Sequence, residues 1–88
     1  MATVSINAKM PIELAIQLDE EKKLTPDYLG GWLFANAHQG KLKPASGLCY
    51  TYTFKIDENI HSMIKERAAR EGLAMNELIC RLLAANHG

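Results

Sequence analysis

The sequence predicts a mainly α fold with a two-stranded antiparallel β-ribbon. Two strand-helix-helix units in tandem would form a pseudo-dimer within one chain. Two short segments, Val4–Met10 and Tyr50–Ile56, alternate apolar and polar residues in the same phase, the mark of a strand with one buried face. Each runs straight into a helical pattern, a short break and a second helical pattern. The second unit also rewrites the first. Leu24/Leu73, Leu29/Leu78, Leu33/Leu82 and Ala35/Ala84 match outright, as do Lys9/Lys55 and His38/His87. Repeats of this period indicate duplicated supersecondary units.

The first strand leaves Ser5, Asn7 and Lys9 on its polar face. Pro11 suits the start of a helix, because its missing amide would be unpaired there anyway. Leu14 and Leu18, one turn apart with Ala15 beside them, point to the core. Asp19-Glu20-Glu21-Lys22-Lys23 closes that helix in solvent. Thr25 as N-cap and Pro26 at the first position start the next helix. Its apolar face is read as Leu29, Trp32, Leu33 and Phe34. Gly30-Gly31 costs about 1 kcal/mol per glycine relative to alanine; the pair either permits close helix approach or breaks the helix.

Gln39 to Leu48 reads as a linker, with Gly40, Pro44, Gly47 and two lysines. Ten extended residues span at most about 35 Å, enough to cross a small domain. The second strand carries Thr51, Thr53 and Lys55 on its polar face, with Tyr50 and Tyr52 assigned to the core. Asp57 caps a helix starting at Glu58. Ile60, Met63, Ile64 and Ala68 form its apolar stripe, Glu66 and Arg70 can pair outside, and Gly72 terminates it. The last helix is placed from about Ala74 to Ala85, burying Leu78, Ile79, Leu82 and Leu83. The chain thus divides into a first unit (1–39), a linker (40–49) and a second unit (50–88).

At 88 residues neither unit buries enough surface to fold alone, so the two are expected to share a core. Ten basic residues balance ten acidic ones. Zero net charge weighs against nucleic-acid binding, although a local patch matters more than the total. No apolar run is long enough to span a membrane. Met1-Ala2-Thr3 leads directly into the first strand without a signal-peptide pattern, so a cytoplasmic location is expected. Cys49 and Cys80 would then be thiols, Cys80 as core packing. His38, His61 and His87 with the two cysteines follow no metal-ligand spacing. Nor is there a phosphate-binding glycine loop, a nucleophile with a base, or a buried carboxylate pair. No enzyme activity and no cofactor are expected.

The pattern Phe54-Lys55-Ile56-Asp57, then Ile60, Ile64 and Ala68, then Gly72-Leu73-Ala74-Met75-Asn76-Glu77-Leu78-Ile79 resembles the ribbon-helix-helix family of DNA-binding regulators, the Arc and MetJ type. The resemblance covers residues 50 to 85; the first half joins it through the repeat, with a first helix about one turn shorter. Members of that family lay a two-stranded ribbon in the major groove of double-stranded DNA. The resemblance implies base contacts from Ser5, Asn7, Lys9, Thr51, Thr53 and Lys55. It also implies phosphate contacts from the helix N-termini at Met75 and Asn76, and at Asp27 in the first copy. Pro26 lacks an amide, Asp27 is acidic, and Ala74 stands where Ser or Thr is usual; all three depart from the pattern. Family members usually take their second strand from a second chain. Here an intramolecular ribbon, Val4–Met10 with Tyr50–Ile56, is expected.

Taken alone, the polar strand faces read as a solvated sheet surface; two helices covering only the other side favour base contact. The resulting expectation is a sequence-specific DNA-binding transcriptional repressor. It would act by occupying an operator, as a homodimer or higher assembly where half-sites repeat. Two alternatives stay open. One is an antitoxin or plasmid-partition protein whose residues 1–44 bind a protein partner. The other is a protein-interaction module without DNA contact, for which zero net charge is the best argument.

Overall fold

The computed structural model describes residues 2–45 and 47–86. Ser46 of the linker and His87, paired with His38 in the repeat, lie outside them. In chain order the elements are β1 (Thr3–Pro11), α1 (Ile12–Glu20), α2 (Pro26–Asn36), β2 (Cys49–Asp57), α3 (Glu58–Glu71) and α4 (Met75–Asn86). β1 and β2 pair antiparallel within the chain, from Thr3 opposite Asp57 to Pro11 opposite Cys49. The pair expected from the alternation, Val4–Met10 with Tyr50–Ile56, forms the body of this ribbon. This α/β layout is compatible with the ribbon-helix-helix arrangement.

The register is centred on Asn7 opposite Thr53, residues 46 apart in sequence. Just past each strand the ladder continues in the same way: Ile12 N–H donates to Leu48 O (3.1 Å), and Glu58 N–H to Ala2 O (3.2 Å). Those donors open α1 and α3, so each helix starts pinned to the residue preceding the opposite strand.

Local signals set the helix ends. Thr25 Oγ1 accepts from Tyr28 N–H, with Pro26 following; Asp57 Oδ1 accepts from Asn59 N–H at 2.7 Å. Gly72 ends α3 in the left-handed region at φ 71°, and Leu73 N–H then reaches Ala68 O. α1 ends through the same backbone bond, Lys23 N–H to Leu18 O, but with Lys22 at φ 59° in the glycine position. Pro11 is the last strand residue and N-cap of α1 rather than its first helical residue. α4 likewise starts at Met75 and ends at Asn86.

One core joins both halves. Ile6, Ala8, Met10, Leu14, Leu18, Leu29 and Leu33 pack in a single cluster with Phe54, Ile56, Ile64, Leu78, Ile79, Leu82 and Leu83. The radius of gyration is 11.9 Å, close to the roughly 12 Å of a single globule of this length. The two units are thus clasped rather than strung apart. α4 packs on β1 and α2 on β2, so each unit's second helix covers the other unit's strand. The glycine pair does not break the helix, and neither glycine is required by a close approach. α2 is unbroken, and a Cβ at Gly30 would lie 3.9 Å from Ile56 Cγ2. Gly31 faces open space.

Several expected contacts are absent. Phe34 is 61% exposed and not core, because α2 buries Leu29, Gly30 and Leu33 and Phe34 lies a helical step beyond that stripe. Trp32 is half-buried against the core. Tyr50 is 41% exposed, at the ribbon end where no helix covers it fully, whereas Tyr52 packs on the core and stacks with Phe54. Glu66 and Arg70 make no ion pair with the described residues. Cys49 belongs to β2 rather than to the linker.

The linker is anchored rather than loose. Asn86 Nδ2 donates to Lys41 O at 2.8 Å, and Asn86 Oδ1 accepts from Lys41 N–H. Lys43 N–H reaches Arg81 O. No helix is long and apolar enough to cross a membrane among the described residues.

Candidate nucleic-acid interface

Alternation along a paired ribbon places every second residue of both strands on one surface. The buried face carries Ile6, Ala8, Met10, Phe54 and Ile56. The opposite face carries all six side chains assigned to base contact. The register sets them in three rows: Ser5 beside Lys55, Asn7 beside Thr53, and Lys9 beside Thr51. All are exposed except Lys9, which is half-buried. From row five to row nine the surface runs about 14 Å, the rise of roughly four base pairs at 3.4 Å each. A two-stranded ribbon of this kind fits a major groove about 12 Å wide.

In the central row Thr53 Oγ1 donates to Asn7 Oδ1 at 2.8 Å. The bond uses the carbonyl side of the Asn7 amide. Both amide hydrogens of Asn7 remain without a partner among the described residues, as donors for a ligand.

A cleft of about 380 Å³ opens beside the Ser5 row, lined by Ser5, Ile6, Asn7, His61, Met75, Asn76 and Ile79. It joins two of the base-contact residues to both residues assigned to phosphate contact at the start of α4. The first-turn amides of a helix have no intrahelical partner and carry the positive end of the dipole. Asp27, the third residue assigned to phosphate contact, lies exposed in the first turn of α2 and does not line this cleft.

His61 was not singled out for this role by the sequence. It lies one turn after the Asp57 cap, between Ile60 and the core residue Ile64, and a histidine beside an apolar stripe gives no local sign of facing a cleft. Also missed was Glu77. Its Oε1 lies 3.4 Å from Lys9 Nζ, and its Oε2 lies 3.7 Å from Arg81 Nε. The hydrogen bond to Glu77 and its charge raise the Lys9 ammonium above its usual value. Lys55 is exposed and makes no ion pair with the described residues.

Among the described residues no cluster of His, Cys, Asp and Glu could hold a metal ion. Both cysteines are free, Cys49 exposed and Cys80 buried. The ribbon face is a polar surface of about groove width, flanked by the N-terminus of α4. Comparison with protein-family models, curated proteins and solved structures finds no match.

Proposed function

We propose that this chain is a sequence-specific DNA-binding regulator of the ribbon-helix-helix type, a repressor that acts by occupying its operator. One observation carries the reading. A single ribbon face carries Ser5, Asn7, Lys9, Thr51, Thr53 and Lys55, all exposed except the half-buried Lys9; the core lies under the opposite face, and the start of α4 borders this one, with Glu77 reaching Lys9. Lys55 can donate to guanine O6 and N7, Asn7 suits adenine, and the hydroxyls accept several bases. Met75 and Asn76 would hold a backbone phosphate at the α4 N-terminus. We read the two halves as a tandem duplication that brings both ribbon strands into one chain. The ladder's symmetry about Asn7 and Thr53 supports that origin.

The test is enrichment of a random duplex pool on the immobilised chain. A DNA reader enriches a defined sequence, and Lys55→Ala loses it. A pool that stays random at low salt would leave the reading without support.

A second reading draws on a different surface. Ile12, Ala15, Ile16, Asp19, Leu24 and Tyr50 line an apolar cleft of about 300 Å³, and Ile16 is 53% exposed. This favours a protein partner for the first half, as in an antitoxin or partition protein. Ile16→Glu would abolish such a partnership and leave DNA binding intact.

A further inference from the structure

The two ends of the ribbon are unlike, and the difference lies in charge. We infer that the ribbon is a one-ended reader: the Ser5–Lys55 end engages DNA, while Glu77 holds the Lys9–Thr51 end out of contact. This rests on the DNA-binding reading above and specifies the form of its site.

At the Lys9 end, one carboxylate serves two cations. Glu77 reaches Lys9 at 3.4 Å and Arg81 at 3.7 Å, with the Lys9 and Glu77 side chains each about one-third exposed. An ion pair this exposed adds little to folding. Against DNA it matters more. To donate to a base, Lys9 must leave Glu77, and Glu77 is then left facing a polyanion as the groove excludes water. Repulsion and desolvation both oppose that step.

At the Lys55 end no carboxylate pairs with the lysine among the described residues; Asp57, the next side chain on that face, is turned into the α3 cap, where its Oδ1 accepts from Asn59 N–H. The residue matching Glu77 in the repeat is Tyr28, which is uncharged. Lys55 pairs across the ribbon with Ser5, and Ser5 opens into the cleft holding Met75, Asn76 and His61. Base-contacting and phosphate-contacting groups therefore coincide at this end. The matching first-turn residues of α2 are Pro26, which has no amide to offer, and Asp27, which repels phosphate. Strand and helix thus disfavour the same half of the symmetric frame. A ribbon with equal ends would read a palindrome; this one would read a sequence without two-fold symmetry.

The experiment is a double-mutant cycle on DNA affinity, by anisotropy with a fluorescein-labelled duplex enriched from a random pool by the wild-type chain. Lys55→Ala is expected to weaken binding by about tenfold or more, the weight of one good base contact. Lys9→Ala should weaken it by less than about threefold, since Lys9 makes no base contact to lose. Glu77→Gln should tighten binding and steepen the log–log salt dependence by about one, the increment of one more cation displacing counterions from the DNA. Adding Lys9→Ala to Glu77→Gln should cancel that gain. The enriched sequence should be constrained mainly on one side. Equal losses from Lys9→Ala and Lys55→Ala, a palindromic consensus, or a Glu77→Gln variant with unchanged salt dependence would overturn the inference while leaving DNA binding in place. A wild-type chain that enriches no sequence would overturn both.

Discussion

Asn7 and Thr53 meet at the centre of the ribbon, where Thr53 Oγ1 donates a 2.8 Å hydrogen bond to Asn7 Oδ1. Both are exposed, so water can replace the bond if either side is lost. Asn7→Ala and Thr53→Val should each change folding stability by no more than about 1 kcal/mol in urea titrations. If the pair lies over bases, Asn7→Ala should also weaken DNA binding about tenfold, because the two amide donors go with it. Large destabilisation with unchanged DNA affinity would make the pair a structural clip.

Gly40 and Gly31 should respond oppositely to alanine. A Cβ at Gly40 would lie 2.7 Å from both Asn36 O and Leu82 Cδ2, where α2 leads into the linker against α4. Gly40→Ala should cost about 1–3 kcal/mol, the range for overpacking. Gly31 lies inside α2 with nothing within 4 Å of an added Cβ. Gly31→Ala should stabilise by about 0.5–1 kcal/mol through helix propensity. Chemical denaturation of both variants decides, and a destabilised Gly31→Ala would contradict this placement of the helix faces.

Lys22 closes α1 at φ 59°, a conformation in which a side chain costs about 1–2 kcal/mol relative to glycine. Lys22→Gly relieves that strain but enlarges the unfolded ensemble. The net expectation is a gain of about 0.5 kcal/mol, read as a higher urea midpoint with an unchanged slope.

Those residues also mark where the sequence was legible. Signals confined to a few neighbours carried through: the alternation of both strands, the Thr25-Pro26 start, the Asp57 cap, the Gly72 stop and the Leu78–Leu83 stripe. Each depends on backbone geometry that a short segment fixes by itself. Phe34 and Tyr50 were misplaced because hydrophobicity states a preference for burial, while the packing angle of an element decides which residues receive it. The left-handed Lys22 had no glycine to announce it. The Lys9–Glu77 contact joins residues 68 apart, and only the crossing of α4 over β1 brings them together. Of the candidate site, then, the ribbon face was readable. The acidic Asp27 was readable too, but the Lys9–Glu77 contact was not.

Cys80 provides a pH signature of this packing. Burial, chiefly, with lesser contributions from Cys49 and Glu77, pushes its thiol up from 9.0 to about 11. The folded state thus holds the proton more tightly than the unfolded state. The associated stability is fully present below pH 9 and is lost as pH rises from 9 towards 11. The loss is about 2–3 kcal/mol. Cys80→Ala should be less stable at pH 7 for lack of core volume, and should show less of this alkaline decline. Parallel pH dependence in wild type and Cys80→Ala, by urea titration at pH 8 and 10.5, would contradict it.

The most direct test of the ribbon as a DNA reader is the salt dependence of its affinity for duplex DNA, measured by fluorescence anisotropy on the wild-type chain. Binding through a lysine-bearing ribbon and a helix N-terminus releases counterions. The affinity should therefore fall about tenfold or more between 50 and 200 mM salt, linearly on logarithmic axes. No binding at low salt, or an affinity that salt leaves unchanged, would contradict the DNA-binding function.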